Sequence, residues 1–369
     1  KTTGAPICFL IRNQDVKSED YKKLKDAFRP GHADFTFLKK YGIRDYRGGG
    51  RSSGRETVAR VAAGALAKRM LGKEGIRIKG FVREIAGIGI GSFDEKEITG
   101  NPLMCPDNLA AKKMARAILK AKKEGNSVGG VVEVHVKGVP PGLGDPVFDK
   151  LNARLGHALL SIGGVKGVEF GDGFAIARMR GSESNDRMGG RGFSSNHLGG
   201  ITGGISTGQD IVFRIAVKPP SSIAKKQKTV NSRGKEVQIS VKGRHDPCLC
   251  PRIVPVAESM AAIVILDALL RQKAVEGREL LLEDIRALID GCDEIILETI
   301  ARRMNLAERA AEMKRRDNKT IRDKTRENEV LKKWKKLAGE FRLDGQLIKN
   351  LAKMMFSLSI KRQKQHLYP

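Results

Sequence analysis

Residues 279–315, ELLLEDIRALIDGCDEIILETIARRMNLAERAAEMKR, decide how the chain is organised. Apolar side chains recur at Leu281, Ile285, Leu288, Cys292, Ile295, Ile296, Ile300 and Leu306, the three-and-four spacing of one helix face. The run holds no proline, and only Gly291 interrupts it. At 1.5 Å per residue such a helix would be about 55 Å long. A rod of that length outreaches two shorter helices, so a partner chain is the expected cover for its apolar stripe. Asp317-Asn318 makes the turn, and two further helices are expected at about 322–338 and 345–364.

Upstream the composition changes. Of the 42 glycines 38 precede Gly277, and so do 12 of the 13 prolines. The first part is therefore a turn-rich mixed fold and the tail is nearly pure helix, with 272–279 as the joint. The 369 residues suffice for two domains, and a 40% hydrophobic content excludes wholesale disorder. No apolar run reaches membrane-spanning length; the longest, Ala261 to Leu266, stops at Asp267. Five scattered cysteines and no signal-peptide pattern fit a cytoplasmic chain. The net charge of +27 calls for anionic partners without choosing among nucleic acid, phosphorylated metabolites and carboxylates. Aromatics at 5% and basic runs that read as solvated surfaces, 225–228 and 332–336, place nucleic acid behind small anions.

Within the first part, Thr57 to Leu71 and Ala257 to Arg271 read as helices, Val131 to Val136 as a strand, and Ala5 to Ile11 as strand-like. The glycine runs at 48–50, 87–91 and 199–204 are no dinucleotide or Walker fingerprint; they read either as plain tight turns or as places where backbone closely approaches something flat. Four polar clusters stand out: Arg29 to Asp34, Arg44 to Glu56, Lys218 to Ser222 and Lys242 to Cys248. Arg47, Arg51 and Arg55 recur every fourth residue, sharing a face if helical or converging on a phosphate if looped. Guanidinium groups suit phosphate and carboxylate, the hydroxyls of Ser52, Ser53, Ser221 and Ser222 serve the same end, and a histidine beside them can act as an acid near neutral pH. His135 and His157 read as structural. His245, Cys248 and Cys250 carry only a weak zinc signal, and no metal is expected.

In the tail, Arg303 and Lys314 lie about three turns apart on one face; Asp323, Arg326 and Glu327 share another, and Ser359 and Gln363 are one turn apart. Arg286 lies roughly 25 Å along the axis from Arg303, too far for one small ligand to touch both. If both are functional, Arg286 serves the pocket of a partner chain. Taken singly, each of these residues also reads as an ordinary surface charge.

Residues 1–272 resemble the chorismate synthase family. The stretches that carry the likeness are Arg29 to Asp34, Lys40 to Gly42, Asp45 to Thr57, Pro141 to Pro146 with Phe148-Asp149, Ser161 to Gly173, Ser195 to Gly208, Lys218 to Ser222 and Gly243 to Cys248. The resemblance implies an α+β fold, a β-α-β sandwich. It also implies elimination of phosphate from 5-enolpyruvylshikimate 3-phosphate to give chorismate. Reduced FMN would be the cofactor, with NADPH as a candidate ultimate reductant. By the same resemblance, flavin contacts fall on Arg51, Ser52, Ser53, Gly163, Gly164, Gly203, Lys218, Pro219, Pro220, Ser221, Ser222 and Arg244. His32 matches one of two acid histidines, Asp246 an aspartate near the flavin, and Arg47 and Arg55 substrate-anion contacts. The family's opening Ser-His-Gly segment is absent ahead of Lys1, so the first domain is expected to be N-terminally incomplete, to bind FMN weakly and to turn over poorly.

Residues 278–369 resemble the all-helical chorismate mutases, three helices in an intertwined dimer, which convert chorismate to prephenate by a Claisen rearrangement. The resemblance places Arg286 and Arg303 on the two carboxylates, Lys314 and Gln363 on the ether oxygen, and Asp323 and Glu327 at the ring hydroxyl, with Ser359 and Arg326 in support. The two likenesses imply a bifunctional shikimate-pathway enzyme forming a homo-oligomer, a dimer through the helices or a tetramer through the first part. The rival readings are a scaffold carrying only an active mutase, a helical part that binds such acids without turnover, and a basic nucleic-acid binder.

Overall fold

The computed structural model describes residues 5–12, 24–47, 53–190, 192–241, 246–275 and 282–367. The chain divides into two compact units, Lys1–Glu276 and Gly277–Pro369.

The first unit opens with α1 (Asp34–Tyr41), α2 (Thr57–Lys73), β1 (Arg77–Ile85), β2 (Ile88–Gly89), α3 (Asn108–Lys123) and β3 (Gly130–Lys137). It continues through α4 (Leu151–Leu160), β4 (Val165–Phe170), α5 (Gly181–Ser184), β5 (Met188–Gly189), β6 (Gly192–Phe193), β7 (Ile201–Thr202) and β8 (Ile205–Ser206). It closes with β9 (Ile211–Val217), β10 (Gln227–Val230), β11 (Glu236–Ile239) and α6 (Cys250–Val275).

Alternation builds the main sheet. Val132, Val134 and Val136 of β3 pair in register with Ile215, Phe213 and Ile211 of β9, and all six are fully buried. The antiparallel order is β2-β1-β3-β9-β4. Helix α6 lies on this apolar face. Gly80 of β1 makes room for it, since a Cβ there would stand 3.0 Å from Glu258 Cγ and 3.1 Å from Val254. Helix α2 crosses α6 at Gly64, where a Cβ would fall 2.2 Å from that of Ser259. By length and apolarity α6 could span a membrane, but 67% of its most apolar window is buried in this unit, as in a core helix. The short run 261–266 is the middle of that helix. The opposite face of the sheet carries charged pairs, Arg83 with Glu133 at 2.8 Å and Arg214 with Glu169 at 2.9 Å, beside the buried Phe81.

The mixed α and β content is as expected. The described residues hold one five-stranded sheet and three two-stranded ribbons, β5-β6, β7-β8 and β10-β11, rather than two large sheets enclosing the helices. The strand anticipated at Ala5 to Ile11 does not form: residues 5–12 carry no ladder, and Ile7, Phe9, Leu10 and Ile11 are exposed. Apolar, β-prone side chains make a strand only when paired with a neighbouring edge, and residues 5–12 pair with none among the described residues.

The second unit is α7 (Leu282–Arg316), α8 (Lys324–Glu340) and α9 (Gly345–Leu367). The turn after α7 passes through Asn318, with φ 51°, a conformation asparagine tolerates. Helices α7 and α9 run parallel, joined by Glu308 to Arg362 at 2.5 Å and Glu312 to His366 at 3.0 Å. Buried Ala307, Ala311 and Ala352 let them approach. The first half of α7 is covered by neither neighbour: Leu282, Ile285, Leu288, Ile289, Ile295, Ile296 and Leu297 are all exposed.

Candidate active sites

In the first unit a turn closed by His32 N–H on Arg29 O, at 3.1 Å, precedes α1. Gly31, with φ +66°, lies where a Cβ would stand 3.4 Å from Ser221 Oγ. Arg29 clasps Asp34 through Nε at 2.8 Å and Nη2 at 3.0 Å, and its Nη1 donates to Ser222 Oγ at 3.1 Å. Arg44 reaches the same carboxylate at 3.1 Å. Burial alone would raise the Asp34 carboxyl, but the adjoining His32 ring and the hydrogen bonds and charge of Arg29 outweigh it and hold it far below the ordinary carboxylate range. Lys218 donates to Ser221 Oγ at 2.7 Å and to the Gly31 carbonyl. Its ammonium is pushed down, by burial first and then by Lys166.

Two further bonds draw neighbouring segments in. The Lys218 N–H bonds Gly164 O at 2.9 Å, which ties the Gly163-Gly164 turn to this loop. Arg60 of α2 donates to Ser161 Oγ at 2.6 Å, just ahead of that turn. Pro220 is held through its carbonyl by Ser127 at 2.7 Å, and Pro219 precedes it in the same loop. His32, Lys218 to Ser222, Gly163 and Gly164 thus come together around two cations and two hydroxyls. That donor set suits a phosphate-bearing group such as FMN.

Other expected residues lie apart. Arg47 is exposed and paired with Asp45 at 3.1 Å. Arg55 sits in a 3-10 turn, Gly54–Glu56, capped by Ser53, so Arg47 and Arg55 do not share one helix face. Asp246 pairs with Arg252 at 2.9 Å in the loop before α6. Arg51, Ser52 and Arg244 lie outside the described residues. Gly203, at the tip of the β7-β8 ribbon, has open space around it. Its neighbour Gly204 accepts from Leu151 at 2.7 Å, at the start of α4, whereas Gly163 and Gly164 follow the end of that helix. Gly199 and Gly200 meet their own chain: a Cβ would lie 2.4 Å from Gly171 N and 2.5 Å from Asp210 O, so those glycines serve internal packing. Arg29, Asp34, Arg44 and Arg60 carry no role that the sequence alone reveals; Arg29 and Asp34 stand in a visible polar cluster, but their pairing needs the turn between them.

In the second unit Arg303 donates to Met355 O at 3.0 Å and to Ser359 Oγ. Burial pushes its guanidinium down. Gln363, one turn on and 7% exposed, lies beside the same seam, with no partner for its Oε1 among the described residues. Lys314 donates to the Ile321 carbonyl beside a cavity of about 560 Å³ that Asp323 and Arg322 also line. Asp323 caps α8 by accepting from the Arg326 N–H at 2.9 Å. Glu327 pairs with Arg322 at 3.2 Å, while the Arg326 side chain turns outward to Glu329 at 2.7 Å. Arg286 is exposed on the uncovered half of α7. One protomer therefore assembles Arg303, Ser359 and Gln363, places Lys314, Asp323 and Glu327 around the α7–α8 turn, and leaves Arg286 outside.

Known proteins match both units. The family model described as chorismate synthase covers residues 1–270, and that described as chorismate mutase type II covers 285–364. A chorismate synthase of Syntrophobacter fumaroxidans is 54% identical over 277 residues, spanning 75% of this chain and 79% of that protein. One of Porphyromonas gingivalis is 52% identical over 284 residues, with 74% and 77% covered. A solved structure titled as a crystal structure of chorismate synthase aligns with a TM-score of 0.55 and 32% identity, over 71% of this chain and 76% of its own. The chain belongs to the chorismate synthase family and carries a chorismate mutase type II domain behind it, a bifunctional enzyme of the shikimate pathway.

Proposed function

We propose that the first unit converts 5-enolpyruvylshikimate 3-phosphate to chorismate by anti-1,4-elimination, and that the second rearranges chorismate to prephenate. In the first step a C–O bond to phosphate and a C–H bond break, a double bond forms, and no net redox change results. When bound, reduced FMN supplies electron density that assists loss of phosphate. Lys218, Pro219, Pro220, Ser221 and Ser222 would hold it with Gly163 and Gly164, joined by Arg51, Ser52, Ser53, Gly203 and Arg244. Arg47 and Arg55 would neutralise the substrate's acidic groups, His32 would hold the transferable proton, and Asp246 would stand beside the ring.

The second step needs neither nucleophile nor proton transfer; an ether C–O bond breaks as a C–C bond forms. The site selects the compact conformer and stabilises the separating charge. Arg303 would take one carboxylate, in place of Ser359, and Arg286 of a second copy the other. Lys314 and Gln363 would donate to the ether oxygen, and Asp323 and Glu327 would receive the ring hydroxyl. Arg326 would support Asp323 through its backbone N–H. The observation that carries this reading is the seam in which Arg303 of α7 meets Ser359 of α9, with the buried Gln363 one turn on. A cation and an amide held inside a seam cost desolvation and are kept where an anionic ligand completes them. The exposed apolar half of α7 supports a second copy as its cover. The few scattered cysteines support a cytoplasmic setting.

The test supplies the full chain with the phosphorylated precursor and reduced FMN, and separately with chorismate. Prephenate from both is expected. Prephenate from chorismate alone would establish the scaffold reading, and none from either would end the proposal.

A further inference from the structure

The imidazole of His32 is held at one nitrogen. Its Nδ1 lies 3.1 Å from Arg29 Nη2, a permanent donor. Where Nδ1 accepts from Arg29 it has no hydrogen, and the neutral ring then carries its hydrogen on Nε2. What aims Arg29 is Asp34, only 4% exposed, through the bidentate clasp to Nε and Nη2 and a further bond from the Arg29 backbone N–H at 3.1 Å. Asp34 is itself fixed by Arg44, which is anchored on the Leu24 and Lys25 carbonyls at 2.6 and 2.7 Å. The remaining arm of Arg29 reaches Ser222, so the same guanidinium joins the histidine to the Lys218 to Ser222 loop.

We infer that Asp34 is a positioning residue for the first unit's reaction: it aims Arg29 at His32 Nδ1, so that His32 presents Nε2 as its proton-bearing atom on the turn that Lys218 and Ser221 hold through the Gly31 carbonyl. The inference rests on the reading of His32 as the acid. Asp34 also lies 3.1 Å from Nδ1 through its Oδ1, and it would take a hydrogen from that nitrogen if the ring carried one there. The two arrangements differ in tautomer, and that difference is measurable.

The experiment uses the full chain with isotope-labelled histidine and long-range proton–nitrogen spectra, in which the six histidines are separable and His32→Gln identifies the resonance of interest. The wild-type ring is expected as the Nε2–H tautomer with a hydrogen-bonded Nδ1. Asp34→Asn should release that bond and Asp34→Glu should restore part of it. A wild-type Nδ1–H tautomer, or a folded Asp34→Asn with unmoved His32 resonances, would overturn the inference. The wild-type spectrum decides even if the variant fails to fold. In turnover, Asp34→Asn should lower kcat for chorismate formation about 10- to 100-fold, the range of lost outer-shell support and small misplacements. KM should change less than threefold, and the kcat loss should vanish in a His32→Asn background. An equal loss in that background would assign Asp34 a merely structural role. A fully active His32→Asn would instead end the acid reading, while the spectra still judge what Asp34 does to the ring.

Discussion

Replacing Gln363 by methionine should separate stability from function in the helical unit. The Gln363 side chain is buried and its Oε1 has no partner among the described residues. An unsatisfied buried polar group costs about 1–3 kcal/mol, and methionine fills nearly the same volume without it. The expected gain is about 1 kcal/mol, or about 4–8 °C for a unit of this size. Trp334, the chain's one tryptophan, lies on α8, so its fluorescence follows unfolding of this unit within the full protein. Chorismate consumption by the same sample should fall about 10²- to 10³-fold in kcat/KM, the loss seen when one donor to a developing oxyanion is removed. A variant that unfolds 2 kcal/mol earlier, or keeps turnover within threefold of wild type, would refute the placement of Gln363 as a polar group awaiting substrate.

Gly64→Ala should cost about 1–3 kcal/mol in the first unit, since its Cβ would fall 2.2 Å from that of Ser259; circular dichroism of the thermal transition measures it. Asp107 caps α3, and its carboxyl is held at about 2, by the Ala110 and Gly91 N–H groups foremost, against 3.8 when free. A depressed folded value contributes stability above the unfolded one, so this cap should be fully effective above about pH 4 and lost as pH falls through about 2. Acid titration of Asp107→Asn should show that component missing from the window. Leu288→Asp with Ile296→Asp, on the uncovered half of α7, should shift the oligomer toward smaller species in sedimentation and lower mutase activity by removing the partner's Arg286; an unchanged sedimentation coefficient counts against the second copy as cover.

Much of the architecture is legible locally. The helical tail follows from an uninterrupted three-and-four apolar period, and α7 spans Leu282 to Arg316 against the expected 279–315. The strand at Val131 to Val136 is the centre of β3, while β9, Ile-Val-Phe-Arg-Ile-Ala-Val, carries an equally clear alternation absent from the sequence-based expectations. Helix α6 extends past both ends of Ala257 to Arg271, because a buried helix is apolar all round and its limits leave no amphipathic mark. Ala5 to Ile11 failed as a strand for the complementary reason: local preference supplies no edge to pair with.

By itself the sequence determined the division into a turn-rich part and a helical part, the anionic class of ligand, and the residue types able to hold it. All three are properties of composition and short spacing, which survive without knowledge of neighbours. The tertiary structure alone decided that Asp34 lies between Arg29 and Arg44, that Lys218 closes on Gly31, and that Arg303 crosses from α7 to Ser359 on α9 beside the buried Gln363. Those contacts join residues up to 187 positions apart. Such pairs are selected by which apolar faces bury together, so the polar partners meet only once the core is formed.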